Sequence, residues 1–364
     1  MLGPSAVEAC DNVVYAGMLL SNKNASRERV EKAVRKTRQL THSLSDIGLN
    51  STDMNPLSAV TIWTRVILAS ALYACEIWGR LSPPDIQTLE RGQRHFARYI
   101  QSMDKYSPIE VTVSSLGMMS MCGYIDKQKL LFLGRLCRTG TELFHKQLFL
   151  SQITQYHMGF KNICNTTLSL IETLQKYELY QFLTDYINSG IFPTKKCWLV
   201  IVNNAVWEYE ERMWTERLSS RTELSRYLSV HSTLTGHIIW KLCYLYPSGQ
   251  KYLGLLHKIL CTPIQIGHCE ACDSEYNDIM KHYLLSCGKY VDKRNIMLER
   301  IVDIVPVNDS VNILNQDENE LLLTLFGKET DVIKNIDTSL WCYMIVEIAR
   351  CLFGWEIPIP KMYI

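Results

Sequence analysis

Four residues in the last third of the chain have the types and spacing of a metal site. Cys269-Glu-Ala-Cys272 is followed after nine residues by His282 and after four more by Cys287, a C-x2-C-x9-H-x4-C pattern. Zinc takes four sulfur or nitrogen ligands in a tetrahedron, and a two-residue gap lets one tight turn present both thiolates. With all four positions filled by the protein, the site is structural and leaves no place for an activated water. Cys261 and His268 are further ligand types close by, and either can replace one of the four. Chance pairing in a chain with thirteen cysteines is the competing explanation.

No other residues offer chemistry. No two aspartates are adjacent, so the paired carboxylates of a two-metal polymerase or nuclease are not presented on one turn. A Gly-x-Ser-x-Gly elbow, a P-loop and a His-Glu-x-x-His pair are all lacking. These residues give no candidate for catalysis, and no small-molecule substrate is expected.

Two basic stretches could meet phosphates. One holds Arg27, Arg29, Lys32, Arg35, Lys36 and Arg38 against Glu28 and Glu31; the other places Arg91, Arg94 and Arg98 at i, i+3 and i+7. Oriented i,i+4 pairs such as Glu28 with Lys32, Glu31 with Arg35 and Glu90 with Arg94 are equally the mark of a solvated helix face, and the residues alone favour that reading. Trp63, Trp78, Trp207 and Trp240 fall in apolar surroundings and read as core rather than as base-stacking platforms.

The elements that must position these residues are mostly helical. The segment Asp11 to Leu20 is short and β-prone, a strand or hairpin remnant whose partner is not evident in the residues that follow. From Ser26, Val30, Ala33, Val34, Thr37, Leu40, Leu44 and Ile47 recur on one helical face, with Asn24 or Ser26 as cap. A second helix is predicted from Pro56 to Trp78. A third begins at Ser82-Pro83-Pro84-Asp85, where serine caps, proline fills the first turn and aspartate follows three residues on. Helices are also predicted over 109–116, 124–138, 197–217, 237–246, 252–260, 292–305 and 339–353. Tyr276 to Ser286 reads as a short helix carrying His282 in its last turns, and 306–319 as a polar loop. This gives an all-α chain in which 1–22 is a hairpin remnant, 23–140 a helical bundle and 141–260 a helical linker. Residues 261–300 form a small CCHC zinc module and 301–364 a C-terminal helical segment.

Composition agrees with a folded, intracellular protein, nuclear or cytoplasmic. Hydrophobic residues make up 47%, enough to bury cores. Lys plus Arg (38) and Asp plus Glu (37) nearly cancel, so no global field draws the chain to nucleic acid or membrane. The first eighteen residues do not read as a signal peptide. The most apolar stretch, 59–78, is interrupted by Arg65 and Glu76 and reads as a buried helix rather than a membrane span. The cysteines are scattered with no dense disulfide framework, and in a reducing compartment clustered thiols mean metal or chance.

The order of these pieces resembles the region downstream of the polymerase core in non-LTR (LINE-type) retrotransposon reverse transcriptases. Tyr15-Ala16-Gly17 looks like the Tyr-Leu-Gly primer-grip segment, with alanine in place of leucine. Leu72-Tyr-Ala-Cys-Glu-Ile-Trp-Gly79 and Leu89-Glu-Arg-Gly-Gln-Arg94 resemble the thumb pattern, which Leu116-Gly117 and Lys129-Leu-Leu-Phe-Leu133 continue. Cys269, Cys272, His282-Tyr-Leu-Leu285, Cys287 and Arg294 are similar to the C-terminal zinc knuckle of those enzymes. The resemblance spans Val13 to Arg294. It implies a helical thumb on a template–primer duplex, a linker, and a knuckle that touches RNA or DNA. Under it, Arg29, Lys32, Lys36, Arg91, Arg94 and Arg98 become phosphate contacts, which position a duplex without reading bases. The Tyr-x-Asp-Asp palm that carries the chemistry would precede residue 1. A helical, zinc-stapled interaction scaffold derived from such an element is the alternative.

Overall fold

The computed structural model describes residues 11–15, 17–21, 26–355, 357 and 359. In chain order, strands β1 (Asn12–Tyr15) and β2 (Met18–Ser21) precede helices α1 (Ser26–Ser45), α2 (Pro56–Ile62), α3 (Ala69–Ala71) and α4 (Pro83–Ile100). Next come α5 (Ile109–Ser114), α6 (Met121–Arg138), α7 (Phe144–His157), α8 (Asn165–Lys176), α9 (Tyr180–Ser189) and α10 (Lys195–Ser219). They are followed by α11 (Ser225–Val230), α12 (Ile238–Leu245), α13 (Gln250–Leu260), the strands β3 (Gly267–Cys269) and β4 (Ser274–Tyr276), and α14 (Ile279–Lys281). Four helices complete the chain: α15 (Val291–Ile304), α16 (Val307–Leu314), α17 (Glu318–Leu325) and α18 (Thr338–Phe353). The chain is mostly helical, as its periodicity predicts. Among the described residues no helix is long and apolar enough to cross a membrane.

Several local expectations need revision. The β-prone N-terminal segment pairs with itself: β1 and β2 form an antiparallel hairpin with Tyr15 opposite Met18, and Gly17 takes φ +80° in the turn. The partner is therefore within the segment. Asn24, one of the two candidate caps of α1, and Ala16 of the Tyr-Ala-Gly triplet lie outside the described residues. The helix predicted over 56–78 ends at Ala71. It widens into a π turn over Trp63–Leu68, and Ala74 at φ +59° breaks it before a 3-10 turn at Cys75–Ile77. The stretch 306–319 is not a loop; it holds α16 and the start of α17. Pro306 stands immediately before α16, and the Asp317 carboxylate accepts from the Asn319 and Glu320 amides to cap α17. The start of α4 is as predicted. Asp85 Oδ2 accepts from Ser82 Oγ at 2.8 Å and from the Ser82 amide at 3.3 Å, while the Asp85 amide donates back to Ser82 Oγ at 3.3 Å.

The chain divides into two compact units. Unit 1 comprises Met1–Ser43, Ile62–Gln93 and Met119–Glu210; unit 2 comprises Leu44–Thr61, Arg94–Met118 and Glu211–Ile364. In unit 1, Leu130 and Leu133 of α6 pack with Leu170 and Leu174 of α8 and with Trp198 and Val202 of α10. Gly134 is a close-approach position, since any Cβ there would collide with the Trp198 ring, whose Nε1 donates to the Leu130 carbonyl at 2.8 Å. The amino end of α6 is closed by acceptors. Ser120 Oγ takes the Gly123 amide, Glu90 Oε1 the Met121 amide, and Glu210 the Ser120 amide and hydroxyl. In unit 2, α18 packs on α13 and α15, burying Leu253, Leu256, Met297, Ile301, Ile345 and Leu352.

Candidate metal centre

The zinc pattern folds as a hairpin joined to a capped turn. Gly267–Cys269 pairs antiparallel with Ser274–Tyr276. The tight turn between them is closed by the Asp273 amide donating to the Cys269 carbonyl at 2.8 Å, with Asp273 at φ +56°. That turn brings the Cys269 and Cys272 sulfurs together. The second half begins at Asp278, whose carboxylate accepts from the Met280 and Lys281 amides. The helix predicted over 276–286 is thus shorter: Tyr276 ends a strand, α14 is one turn, and His282 opens a π turn over His282–Ser286. The Cys287 amide donates to the His282 carbonyl at 2.7 Å, which folds the last ligand back beside the others. Met280 and Leu284 are buried on either side of His282 and hold the turn to the core.

The four donor atoms lie within 4.8 Å of one another. Cys272 Sγ is 3.3 Å from His282 Nε2 and 3.8 Å from Cys287 Sγ, which is 3.9 Å from Cys269 Sγ. A tetrahedron with Zn–S near 2.3 Å has sulfurs about 3.8 Å apart, so the spacing fits without rearrangement. Burial, and next the charge of Arg294, lower the pKa of His282 and keep it neutral, the form that binds metal. The Ser274 hydroxyl leads in drawing the Cys272 thiol down to about 7, whereas burial pushes the Cys287 thiol up to about 11. Three sulfurs and one imidazole could hold a metal ion and are compatible with zinc.

Of the residues packed around the quartet, only Arg294 was named with it from the sequence. The Tyr276 ring stacks on His282 at 5.4 Å. A Cβ at residue 267 would lie 2.7 Å from the Tyr276 hydroxyl, so Gly267 makes room for that ring. Arg294 donates to the Leu284 carbonyl at 3.0 Å and to the Cys287 carbonyl at 2.6 Å. The buried Arg226 pairs with Asp278 and donates to the Thr262 carbonyl, tying the ligand-bearing turn to α11 and the end of α13. Asn277-Asp278 before the apolar Ile279-Met280 was the available cap signal. The two spare ligands stand apart. Cys261 Sγ lies 3.5 Å from His257 Nε2, and the exposed His268 faces Asp273 at 3.1 Å.

The basic candidates separate by environment. Arg29, Lys32 and Lys36 of α1 line one cavity of about 210 Å³ with Ser70, Tyr73 and Trp78. Lys36 Nζ donates to the Ser70 carbonyl of α3 at 3.0 Å, and Tyr73 is 61% exposed. Arg27 pairs with Glu31 at 2.9 Å, a surface contact. Along α4, Arg91 is exposed, Arg94 is half-buried, and Arg98 is half-buried and donates to the Ser107 carbonyl at 2.7 Å. Arg98 therefore fastens the loop after its own helix. Of the four tryptophans read as core, Trp63, Trp78 and Trp240 are buried and Trp207 is only half-buried. No family model, curated protein or solved structure matches the chain.

Proposed function

We propose that this chain binds the phosphate backbone of an RNA or of a template–primer duplex, with zinc held as a staple at Cys269, Cys272, His282 and Cys287. The observation that carries the reading is the cavity where Arg29, Lys32 and Lys36 meet Tyr73 and Trp78. These aromatics belong to the Leu72–Gly79 segment on which the resemblance to retrotransposon reverse transcriptases rests. An ammonium has three donors, so Lys36 keeps two for a phosphate after its bond to Ser70. Backbone contacts of this kind give affinity without sequence preference, as expected of a thumb. The test is binding of zinc-loaded protein to a structured RNA and to a primer–template duplex, beside a variant carrying Arg29→Gln, Lys32→Gln and Lys36→Gln. A marked loss for both ligands in a variant that melts like the parent supports the reading; equal binding contradicts it.

A protein-docking scaffold is the second reading. Exposed Phe144, Met158, Phe160 and Ile191 favour it, all 59% to 76% accessible. It is preferred if nucleic acid fails to bind at low salt.

A further inference from the structure

Along α13, Lys251, Gly254, Leu255 and Lys258 fall at i, i+3, i+4 and i+7 and so share one face. Within unit 2 that face lines a cavity of about 470 Å³ together with Ser51, Ser102 and Phe353. The volume lies in the range of small-molecule sites, and Lys251, Ser102 and Phe353 are exposed, so the cavity opens to solvent. Its charge is one-sided: among the described residues that line it, two are lysines and none is acidic. Lys258 is half-buried, and among the described residues its ammonium meets neither a carboxylate nor another acceptor. A partly desolvated cation without a partner is costly, and an anion in the cavity relieves it. The Lys251 ammonium stays at the rim, over the Tyr252 and Phe353 rings at 4.8 and 5.5 Å. Gly254 stands inside the helix, where glycine is less stable than alanine. Packing does not require it, because a Cβ there would meet only the Trp240 ring, at an ordinary 3.8 Å. The missing side chain instead leaves the cavity open down to the helix backbone between the two lysines.

We propose that this cavity binds a small organic anion, a negatively charged group carried on an apolar body. The charged group meets Lys258, and the body lies on Gly254 and Leu255 and reaches toward Phe353. Seven helical residues span about 10 Å, so the gap between the lysine roots takes a two-ring body or a short alkyl chain. The site is independent of the phosphate grip on α1.

The test is calorimetric titration of the full chain with 1-naphthyl phosphate and with octyl phosphate, beside 1-naphthol and inorganic phosphate as the body and the charge alone. The same titrations are run on Lys258→Gln and Gly254→Leu, whose melting is compared with wild type. At least one of the two amphiphiles binds wild type with one site per chain, and each half alone binds at least about tenfold more weakly. Preference for the naphthyl compound identifies a flat ring as the body, and preference for the octyl compound an alkyl chain. Lys258→Gln loses the charge and Gly254→Leu fills the cavity floor, so each weakens the amphiphile at least about tenfold. Lys258→Gln, a change on a half-buried surface residue, decides alone if the leucine variant melts below wild type. No binding of either amphiphile to folded wild type overturns the proposal, as does binding of 1-naphthol or inorganic phosphate that equals theirs. Wild-type affinity in a folded Lys258→Gln or Gly254→Leu protein overturns it too. Displacement of the amphiphile by a structured RNA assigns these lysines to a nucleic-acid surface and likewise overturns the small-molecule site.

Discussion

Replacing Arg226 with methionine is expected to unfasten the turn that carries the Cys/His quartet without touching a candidate ligand. The Arg226 and Asp278 side chains are only 3% and 13% exposed, so solvent screens their pairing little. Methionine fills the space of the arginine stem but leaves the Asp278 carboxylate buried without its cation and the Thr262 carbonyl without its donor. Breaking one partner of a buried pair costs about 3–5 kcal/mol. Asp278→Asn keeps an effective helix cap but strands Arg226 instead. The double variant removes both charges, so it costs less than the sum of the singles, with a coupling of about 2–3 kcal/mol. Urea unfolding of the zinc-loaded proteins at neutral pH, followed by helical circular dichroism, measures each corner of this cycle. An Arg226→Met cost below about 1 kcal/mol, or strict additivity in the cycle, would refute the claim that this pair holds the turn carrying His282.

Two further outcomes follow from the same geometry. The metal site is expected to hold one zinc per chain, with X-ray absorption showing three sulfurs near 2.3 Å and one nitrogen near 2.0 Å; Cys272→Ser loses the metal and lowers the melting temperature of unit 2. Acid weakens unit 2 through a second cluster. Burial lowers His231 from 6.5 to about 4 and His257 to about 3, and lowers His237 as well. The unfolded chain takes up protons below pH 6.5 that the native state refuses, so stability is full above that pH and falls toward pH 4 by as much as about 4 kcal/mol per unit. His231→Asn removes about one third of that slope; an unchanged slope in equilibrium unfolding across this range contradicts the account.

The parts of the fold that could be read in the sequence were those with a strong local signal. The cap at Ser82 and Asp85 and the face of Val30, Ala33 and Val34 each determine a helix from neighbouring residues. The quartet of Cys269, Cys272, His282 and Cys287 was readable because ligand type and spacing are chemical constraints that survive whatever fold surrounds them. The β3–β4 hairpin was not, since three-residue strands are too short to show an alternating pattern. Helix α16 escaped for a related reason: at eight residues it is too short for a helical period to stand out. Arg226 and Asp278 are 52 residues apart, and nothing in either local sequence announces the other. Trp207 shows the limit of reading tryptophans by their neighbours. Its position on α10 leaves half of it outside the core, which apolar surroundings in sequence do not reveal.

The most direct test of the central claim is the salt dependence of wild-type binding to a primer–template duplex, measured by fluorescence anisotropy on the folded, zinc-loaded chain. Three phosphates neutralised by Arg29, Lys32 and Lys36 give a log–log slope of about −2.7 or steeper. A slope near zero, or no binding at low salt, would contradict the phosphate grip and put the scaffold reading in front.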